Sequence, residues 1–303
     1  MSIAPTRTPD QLNRRDTHDD MRQITGRRLR SALLVLPAVA LAAFVVAGGL
    51  VTAVLQSLGL MPLVGPVRLS VDAYTDQAGD LLRALGLSLA IASSATVIAA
   101  IVGMGAALLI VGGRWGGRLV AAASAATVTI PHLIGAAAIG LLLAESGLLA
   151  RLFGVPATLW PSLVGGPWWV AVVAEYAWKE SAFIGLVVAG TLITRVARFD
   201  ETAALLGAGR WNRFRFVMLP LALPALAISS TIAFVYTLGS YEVAWLLGRT
   251  YPEPLAVMAW RLFTSVTLTS RPEAAATAVL TAAVSFLVVG LCFWALRKTA
   301  VWR

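Results

Sequence analysis

Long apolar stretches alternate with short polar ones along almost the whole chain. A bilayer core about 30 Å thick is crossed by roughly 20 apolar helical residues. Six stretches reach that length, at residues 32–57, 84–111, 119–143, 167–191, 217–239 and 274–296. The first is too long for the apolar region of a signal peptide, which has about 7–15 residues, and is interpreted as a retained span. The pattern therefore predicts an all-α polytopic membrane protein with six transmembrane helices.

Basic residues outside these stretches are concentrated on one side of the predicted membrane. Segments 1–31, 112–118, 192–216 and 297–303 contain 17 Lys and Arg residues, whereas the intervening segments contain 6. An even number of spans puts both termini on one side, and the positive-inside rule places that side in the cytoplasm. Residues 1–31 are then a cytoplasmic tail, and residues 32–303 form one transmembrane domain in which 192–216 is a cytoplasmic loop.

Composition supports this interpretation. Of the 303 residues, 58% are hydrophobic and 13% are charged, with a mean hydropathy of +0.81, whereas an ordinary soluble domain has about 25% charged residues. These values exclude a disordered protein and argue against a soluble enzyme. The bias of basic residues across the membrane explains the net charge of +9. We therefore predict that the chain contacts membrane lipid and binds no nucleic acid. The single cysteine, Cys292, excludes an intramolecular disulfide.

The motifs of common enzymes are missing from the sequence. There is no G-x-x-x-x-G-K-[ST] phosphate loop, no H-E-x-x-H zinc helix and no G-x-S-x-G elbow. We therefore predict no catalytic residue, no metal site and no cofactor bound by this chain. Pro131 is expected to kink the third stretch. His132, which follows it, is interpreted as a polar residue satisfied between helices, the alternative being a ligand or proton carrier.

Three charged residues lie inside the fourth stretch. Glu175 and Lys179 are four residues apart, so they share a helix face, and Glu180 follows. Counting about 1.5 Å per residue from Pro167 places them ~12–18 Å deep. A charge there costs at least ~2.5 kcal/mol unless it is paired or hydrated. Two interpretations stay open: a translocation pathway or gate, in which Tyr176 would take part, and an ion pair that fixes helix packing.

Small residues are frequent in the second and third stretches, among them Gly103, Gly105 and Gly135. Such residues let membrane helices approach closely, which explains them without a binding site.

The loop between the fourth and fifth stretches has its own pattern. It is predicted to contain a short helix, a glycine turn at Gly207 and Gly209 and a second helix. Asp200 and Glu201 would lie near the start of the first helix, where carboxylates favour the helix dipole. A short helix held out by a turn is suited to a groove on a partner protein. The residues expected to make that contact are Asp200, Glu201, Thr202, Ala203, Ala204, Leu205, Gly207 and Ala208.

This loop resembles the E-A-A-x-x-x-G loop of inner-membrane permease subunits of binding-protein-dependent ABC importers. Glu201, Ala203 and Gly207 keep the pattern, Leu219-Pro220 matches its trailing L-P, and Thr202 replaces its first Ala. Six spans with the loop between the fourth and fifth also resemble the type I importer fold of that family.

The resemblance implies a mechanism and a set of partners. The first loop helix would be a coupling helix seated in a cytoplasmic ATPase subunit, which would hold ATP and Mg²⁺. Two ATPase subunits, a second permease chain, identical or paralogous, and an external solute-binding protein would complete the complex. The chain would then lie in the bacterial inner membrane and translocate a small polar solute by alternating access.

Two further stretches, 178–183 and 239–248, resemble segments of spermidine/putrescine-type permeases. They add Tyr241 and Glu242, near the external end of the fifth span, to the candidate pathway of Glu175, Tyr176, Lys179 and Glu180. Two rival functions are a secondary transporter driven by an ion gradient and an intramembrane enzyme or scaffold. A secondary transporter should need more intramembrane acids than Glu175 and Glu180, and the enzyme should need a catalytic set that the sequence lacks.

Overall fold

The computed structural model describes residues 34–298, apart from the side chains of residues 194–198, 200–202 and 204. This part of the chain is helical and contains no strand. Its α-helices are α1 (Leu34–Ser57), α2 (Asp72–Thr75), α3 (Ala78–Val111), α4 (Trp115–Thr129), α5 (His132–Leu143), α6 (Leu148–Leu152), α7 (Val170–Leu205), α8 (Arg210–Arg213), α9 (Leu219–Gly239), α10 (Glu242–Leu247), α11 (Leu255–Thr264) and α12 (Arg271–Lys298). A π-helical turn, Phe214–Met218, joins α8 to α9.

The chain divides into two compact units, residues 1–52 and 53–303. The described residues of the first unit, 34–52, are helical and belong to α1, which runs on to Ser57. The predicted tail, residues 1–31, lies outside the described residues.

Five helices in the described ranges are long and apolar enough to cross a membrane: Leu34–Ser57, Ala78–Val111, His132–Leu152, Arg210–Gly239 and Leu268–Lys298. The predicted fourth span, 167–191, falls within α7, whose 36 residues extend about 54 Å. α7 is not among the five, and its apolar half carries Glu175, Lys179 and Glu180. The sixth span and the placement of both termini therefore stay predictions.

The prediction that residues 119–143 form a single kinked helix was wrong. The structure has two helices there, α4 and α5, separated at Ile130 and Pro131. Proline lacks a backbone N–H and its ring collides with the preceding turn, and here these effects end the helix instead of bending it. The stretch that is long enough to span then runs from His132 to Leu152.

Helices α3 and α7 form the centre of the second unit. α3 contributes to three clusters of buried apolar residues, with α5, α7 and α10 in one, α7 and α9 in another, and α11 and α12 in the third. Gly103 of α3 and Gly185 of α7 face each other: a Cβ on Gly185 would lie 3.2 Å from the carbonyl oxygen of Gly103. The two backbones approach this closely because neither residue has a side chain, as expected for small residues in membrane helices.

Alanine at Gly103 and at Gly105 should have opposite effects. A Cβ on Gly103 would lie 2.9 Å from the carbonyl oxygen of Ser181, whereas a Cβ on Gly105 would meet nothing within 4 Å. We expect Gly103→Ala to destabilise the chain by about 1–3 kcal/mol through overpacking. Gly105→Ala should stabilise it by about 0.5–1 kcal/mol, because alanine is the better helix former. Thermal unfolding of the two variants, purified in detergent, checks this; equal melting temperatures would contradict the predicted contact.

Candidate functional site

The break between α4 and α5 lies beside the charged part of α7. A helix end leaves backbone carbonyls without partners inside the helix. At the end of α4 the hydroxyl of Thr129 donates a hydrogen bond to the carbonyl of Ala126 at 2.7 Å. Pro131 has no N–H to offer the carbonyl of Thr127, which accepts from the N–H of Ile130 at 3.2 Å, and the N–H of Ile134 bonds to the carbonyl of Pro131 and not to that of Ile130. Both carbonyls can accept a further donor.

Lys179 supplies those donors. Its buried ammonium group donates to the carbonyl oxygen of Thr127 at 2.7 Å and also to that of Ile130. A positive charge at the carboxyl end of a helix is favoured by the helix dipole. In the described part of the chain, no ion pair joins Lys179 to Glu175. Of the two interpretations left open for these residues, an ion pair of Glu175 with Lys179 is therefore not found there, since the ammonium is directed to the end of α4.

His132 lies between the two carboxylates of α7. Its Nδ1 is 3.2 Å from Oε1 of Glu175 and 3.4 Å from Oε2, and its Nε2 is 3.7 Å from Oε1 of Glu180. Both carboxylates are buried. An imidazole with both nitrogens protonated can donate on both sides, whereas a neutral imidazole donates on one side only. The interpretation of His132 as a polar residue held between helices agrees with these contacts.

Two tyrosines complete this group of residues. The ring of Tyr236, in α9, is centred 4.7 Å from that of His132, and the ring of Tyr176, in α7, is centred 6.0 Å away. The hydroxyl of Tyr176 donates to the carbonyl of Ser240 at 3.4 Å. We call His132, Tyr176, Glu175, Glu180 and Tyr236 the His132 cluster. It joins α5, α7 and α9.

Gly135 allows the carboxylate of Glu175 to approach α5. A Cβ at Gly135 would lie 2.9 Å from Oε1 of Glu175 and 3.3 Å from the ring of Trp178. Glu175 therefore lies beside the first turn of α5, where the helix dipole favours a negative charge. At the break, the end of α4 therefore faces the positive charge of Lys179, and the start of α5 faces the negative charge of Glu175.

Glu175 and Glu180 lie in the first half of α7. Because α7 begins at Val170, a rise of 1.5 Å per residue puts Glu175 about 7.5 Å and Glu180 about 15 Å from the helix start. The depth of both residues in the membrane stays a prediction. Tyr241 stacks on Trp260, with ring centroids 4.8 Å apart, and Glu242 is the first residue of α10.

The loop predicted to be cytoplasmic differs from the expected structure in one respect. No separate helix begins near Asp200, because the backbone of α7 stays helical from Val170 to Leu205. The sequence between Ile193 and Leu205 contains no glycine or proline that would end it. Asp200 and Glu201 therefore lie near the end of a long helix, not at the start of a short one. Their side chains, and those of Thr202 and Ala204, lie outside the described residues.

The glycine turn is present where it was predicted. Gly207 has φ +81°, and the N–H of Ala208 bonds to the carbonyl of Ala203 at 3.0 Å. This bond and the left-handed glycine define a Schellman ending of α7. Leu205 and Leu206, in the last turn, are 89% and 83% exposed. The turn thus presents two adjacent leucines that no described part of this chain covers.

Sequence reasoning missed the link between His132 and the acids and did not single out Tyr236. The one available signal was the Pro131-His132 pair within an apolar stretch, since a polar residue beside a helix break often contacts another helix. Nothing in the sequence shows that α5 and α9 bring their rings to the same turn of α7.

Comparison with known proteins identifies the family. The family described as "Binding-protein-dependent transport system inner membrane component" matches residues 95–299, more than half of the chain. The chain belongs to this family. With five apolar helices it is a multi-pass protein of the bacterial inner membrane, and the predicted membership of the ABC importer permeases is confirmed at the level of the family.

The chain also resembles individual permeases, at low sequence identity. The chain is 29% identical over 216 residues to the inner membrane ABC transporter permease protein YnjC of Escherichia coli K12; the match covers 69% of this chain and 39% of YnjC. It is 28% identical over 82 residues to the molybdenum transport system permease protein ModB of the same organism, covering 24% of this chain and 36% of ModB. The chain thus matches less than half the length of either relative.

The fold is shared with solved importers. A bacterial ABC transporter involved in import of the acidic polysaccharide alginate superposes with a TM-score of 0.67 at 16% identity, covering 93% of this chain and 99% of that chain. The alginate transporter in complex with a periplasmic protein bound to alginate pentasaccharide gives 0.66 at 18% identity, covering 89% and 94%. The predicted all-α permease fold is confirmed.

Proposed function

We propose that this chain is a permease subunit of an ATP-driven importer and moves a small polar solute into the cytoplasm by alternating access. The observation that carries the proposal is the family match over residues 95–299. Family membership favours this function over the gradient-driven transporter and over the intramembrane enzyme. The spermidine/putrescine branch stays a prediction, since the relatives named above belong to other systems.

Two ATPase subunits, a second permease chain and an external binding protein would complete the importer. ATP and Mg²⁺ would be bound in the ATPase subunits, and this chain would contribute no catalytic residue. A periplasmic protein is part of the alginate transporter complex, whose permease has the same fold, which supports an external partner here. Both termini would lie in the cytoplasm, and α7 would provide the sixth span.

The turn at Gly207 is the proposed contact with the ATPase. The exposure of Leu205 and Leu206 to water is unfavourable, because burying a leucine side chain contributes about 1.5–3 kcal/mol. A groove on a partner would cover them. We propose that Ala203, Leu205, Gly207 and Ala208, together with Asp200, Glu201, Thr202 and Ala204, couple this subunit to ATP hydrolysis. The predicted pathway residues Glu175, Tyr176, Lys179, Glu180, Tyr241 and Glu242 would lie along the route of the solute.

Reconstitution in liposomes distinguishes an ATP-driven importer from a gradient-driven transporter. The chain is placed in liposomes with the ATPase, second permease and binding protein encoded by neighbouring genes, and uptake of the solute that the binding protein carries is measured. We expect uptake to require ATP at the ATPase face and the binding protein at the other, and to persist after ionophores collapse ion gradients. Uptake by this chain alone, driven by a proton or sodium gradient, would contradict the proposal.

A further inference from the structure

Two arginines without acidic partners lie on the short segment that leads into α9. Arg210 begins α8, and Arg215 lies in the π-helical turn that follows; both side chains are exposed. The sequence has no Asp or Glu between Glu201 and Glu242. Neither arginine makes an ion pair in the described part of the chain. The segment therefore presents positive charge that these residues do not neutralise.

Exposed aromatic side chains stand beside the two arginines. Trp211 is 66% exposed and Phe216 is 68% exposed, and the guanidinium carbon of Arg215 lies 5.8 Å from the centre of the Phe216 ring. Aromatic and basic side chains of this kind are typical of the membrane–water boundary, where the ring contacts lipid and the charge stays in water. We call Arg210, Trp211, Arg215 and Phe216 the 210–216 patch.

The length of the helix that carries the patch matches a full bilayer. Residues Arg210–Gly239 form a stretch of 30 residues that is apolar enough to span a membrane, and 30 residues extend about 45 Å. A bilayer is about 30 Å thick in its hydrocarbon core and about 40–45 Å with its headgroups. Because the patch occupies one end of this stretch, it lies at the depth of the headgroups when the apolar remainder fills the core.

A second basic segment lies at the same end of the second unit. Arg114 and Arg118, at the start of α4, are exposed and make no ion pair among the described residues. Val111, at the end of α3, packs against the same buried cluster as Phe214 of the π-helical turn. Residues 81–144 contain no Asp or Glu. The two segments together place four arginines at one membrane edge, which the sequence predicts to be the cytoplasmic one.

We propose that the 210–216 patch binds the headgroup of an anionic phospholipid in the adjoining leaflet. A guanidinium group is suited to a phosphate because its planar donors bind two oxygens at once. The exposed rings of Trp211 and Phe216 contact the part of the lipid below the phosphate, which a soluble phosphate ester lacks. An acidic protein surface fits less well, because the patch is the end of a membrane-spanning stretch. This inference goes beyond the proposed function and does not depend on it.

The test measures binding of two short-chain lipids, dioctanoyl-phosphatidylglycerol and dioctanoyl-phosphatidylcholine, to the full chain in a neutral detergent by native mass spectrometry. The lipids have the same acyl chains, but the first is anionic and the second zwitterionic. We expect the parent to bind phosphatidylglycerol about ten-fold more tightly, since each basic residue near an anionic headgroup contributes to the attraction. The double variant Arg210→Gln, Arg215→Gln should lose this preference, whereas Arg210→Lys, Arg215→Lys should keep most of it because the charge remains.

The matched control is the double variant Arg151→Gln, Arg249→Gln. Both arginines are exposed and lie in segments predicted to be on the other side of the membrane, so the control removes the same charge from another place. We expect it to bind both lipids like the parent.

Equal affinity of the parent for the two lipids would overturn the proposal, as would an unchanged preference in the variant Arg210→Gln, Arg215→Gln or the same loss in the control. Competition by glycerol phosphate at the concentration of the lipid would show that the patch binds a soluble phosphate ester and not a lipid. Displacement of phosphatidylglycerol by the purified ATPase subunits would assign the arginines to a protein interface instead.

Discussion

Replacing Gly207 with valine is expected to reduce ATP-driven uptake at least ten-fold while the membrane helices stay folded. At φ +81° a residue with a Cβ is strained by about 1–2 kcal/mol, and a β-branched residue by more. The strain opens the Schellman turn, and with it the hydrogen bond between Ala208 and Ala203. The two exposed leucines then change direction relative to α7. Uptake by the reconstituted importer and co-purification of its ATPase measure the effect.

Gly209→Val is the matched control for this substitution. Gly209 has φ −64°, and a Cβ there would meet nothing within 4 Å, so valine fits without strain. A Cβ at Gly207 also finds open space, so backbone conformation is the main difference between the two positions. We expect Gly209→Val to take up solute within two-fold of the parent. Normal uptake by Gly207→Val would show that the turn does not couple the subunits.

Lys179→Met is expected to cause a large loss of stability. It removes two charge-assisted hydrogen bonds, to the carbonyls of Thr127 and Ile130, each worth about 1.5–3 kcal/mol. It also leaves the acids of the His132 cluster with less positive charge nearby. A loss of about 3 kcal/mol lowers the melting temperature on the order of 10 °C. Tryptophan fluorescence of the purified chain during heating measures it.

Two further variants test whether the loss of stability comes from the charge and the hydrogen-bond donors of Lys179. Lys179→Arg keeps the charge and the donors, so it should recover at least half of the lost stability. Arg118→Met removes a basic residue from an exposed position on α4 and should melt within 2 °C of the parent, since exposed charges contribute about 0–1 kcal/mol. If Lys179→Met melts like the parent, the lysine does not hold the helix break, and any loss of transport then comes from its proposed place on the route of the solute alone.

The sequence predicted the turn at Gly207 but not the helix that leads to it. Glycine is readily recognised because it adopts positive φ at no steric cost, and the Schellman bond of Ala208 follows from that conformation. The start of a helix near Asp200 was inferred from an acidic pair, which is a weak signal when no breaker precedes it. Helix propagation adds one hydrogen bond for each residue fixed, so α7 continues through Asp200 to Leu205.

The sequence predicted which charged residues lie in the membrane but not which groups they contact. Glu175, Lys179 and Glu180 were identified because charges in an apolar stretch are costly. The ion-pair interpretation of Glu175 and Lys179 used only the spacing along one helix. The structure brings α4 and α5 to the same place, and their ends offer carbonyls to Lys179 and an imidazole to the acids. A pairing rule for single helices cannot include such contacts.

The sequence by itself determined the apolar stretches, the position of the irregularity at Pro131 though not that it ends the helix, the turn at Gly207 and the family. Each of these depends on properties local to a few residues: transfer to lipid, a missing N–H, a missing Cβ, a motif. Only the tertiary structure decided where the scarce charges go. His132 lies 43 residues from Glu175 along the chain, and the two meet because α5 and α7 pack side by side. Since a buried charge is stabilised by whatever donor or acceptor lies within about 3–4 Å, helix packing, and not the spacing in the sequence, assigned Lys179 to the helix break and His132 to the acids.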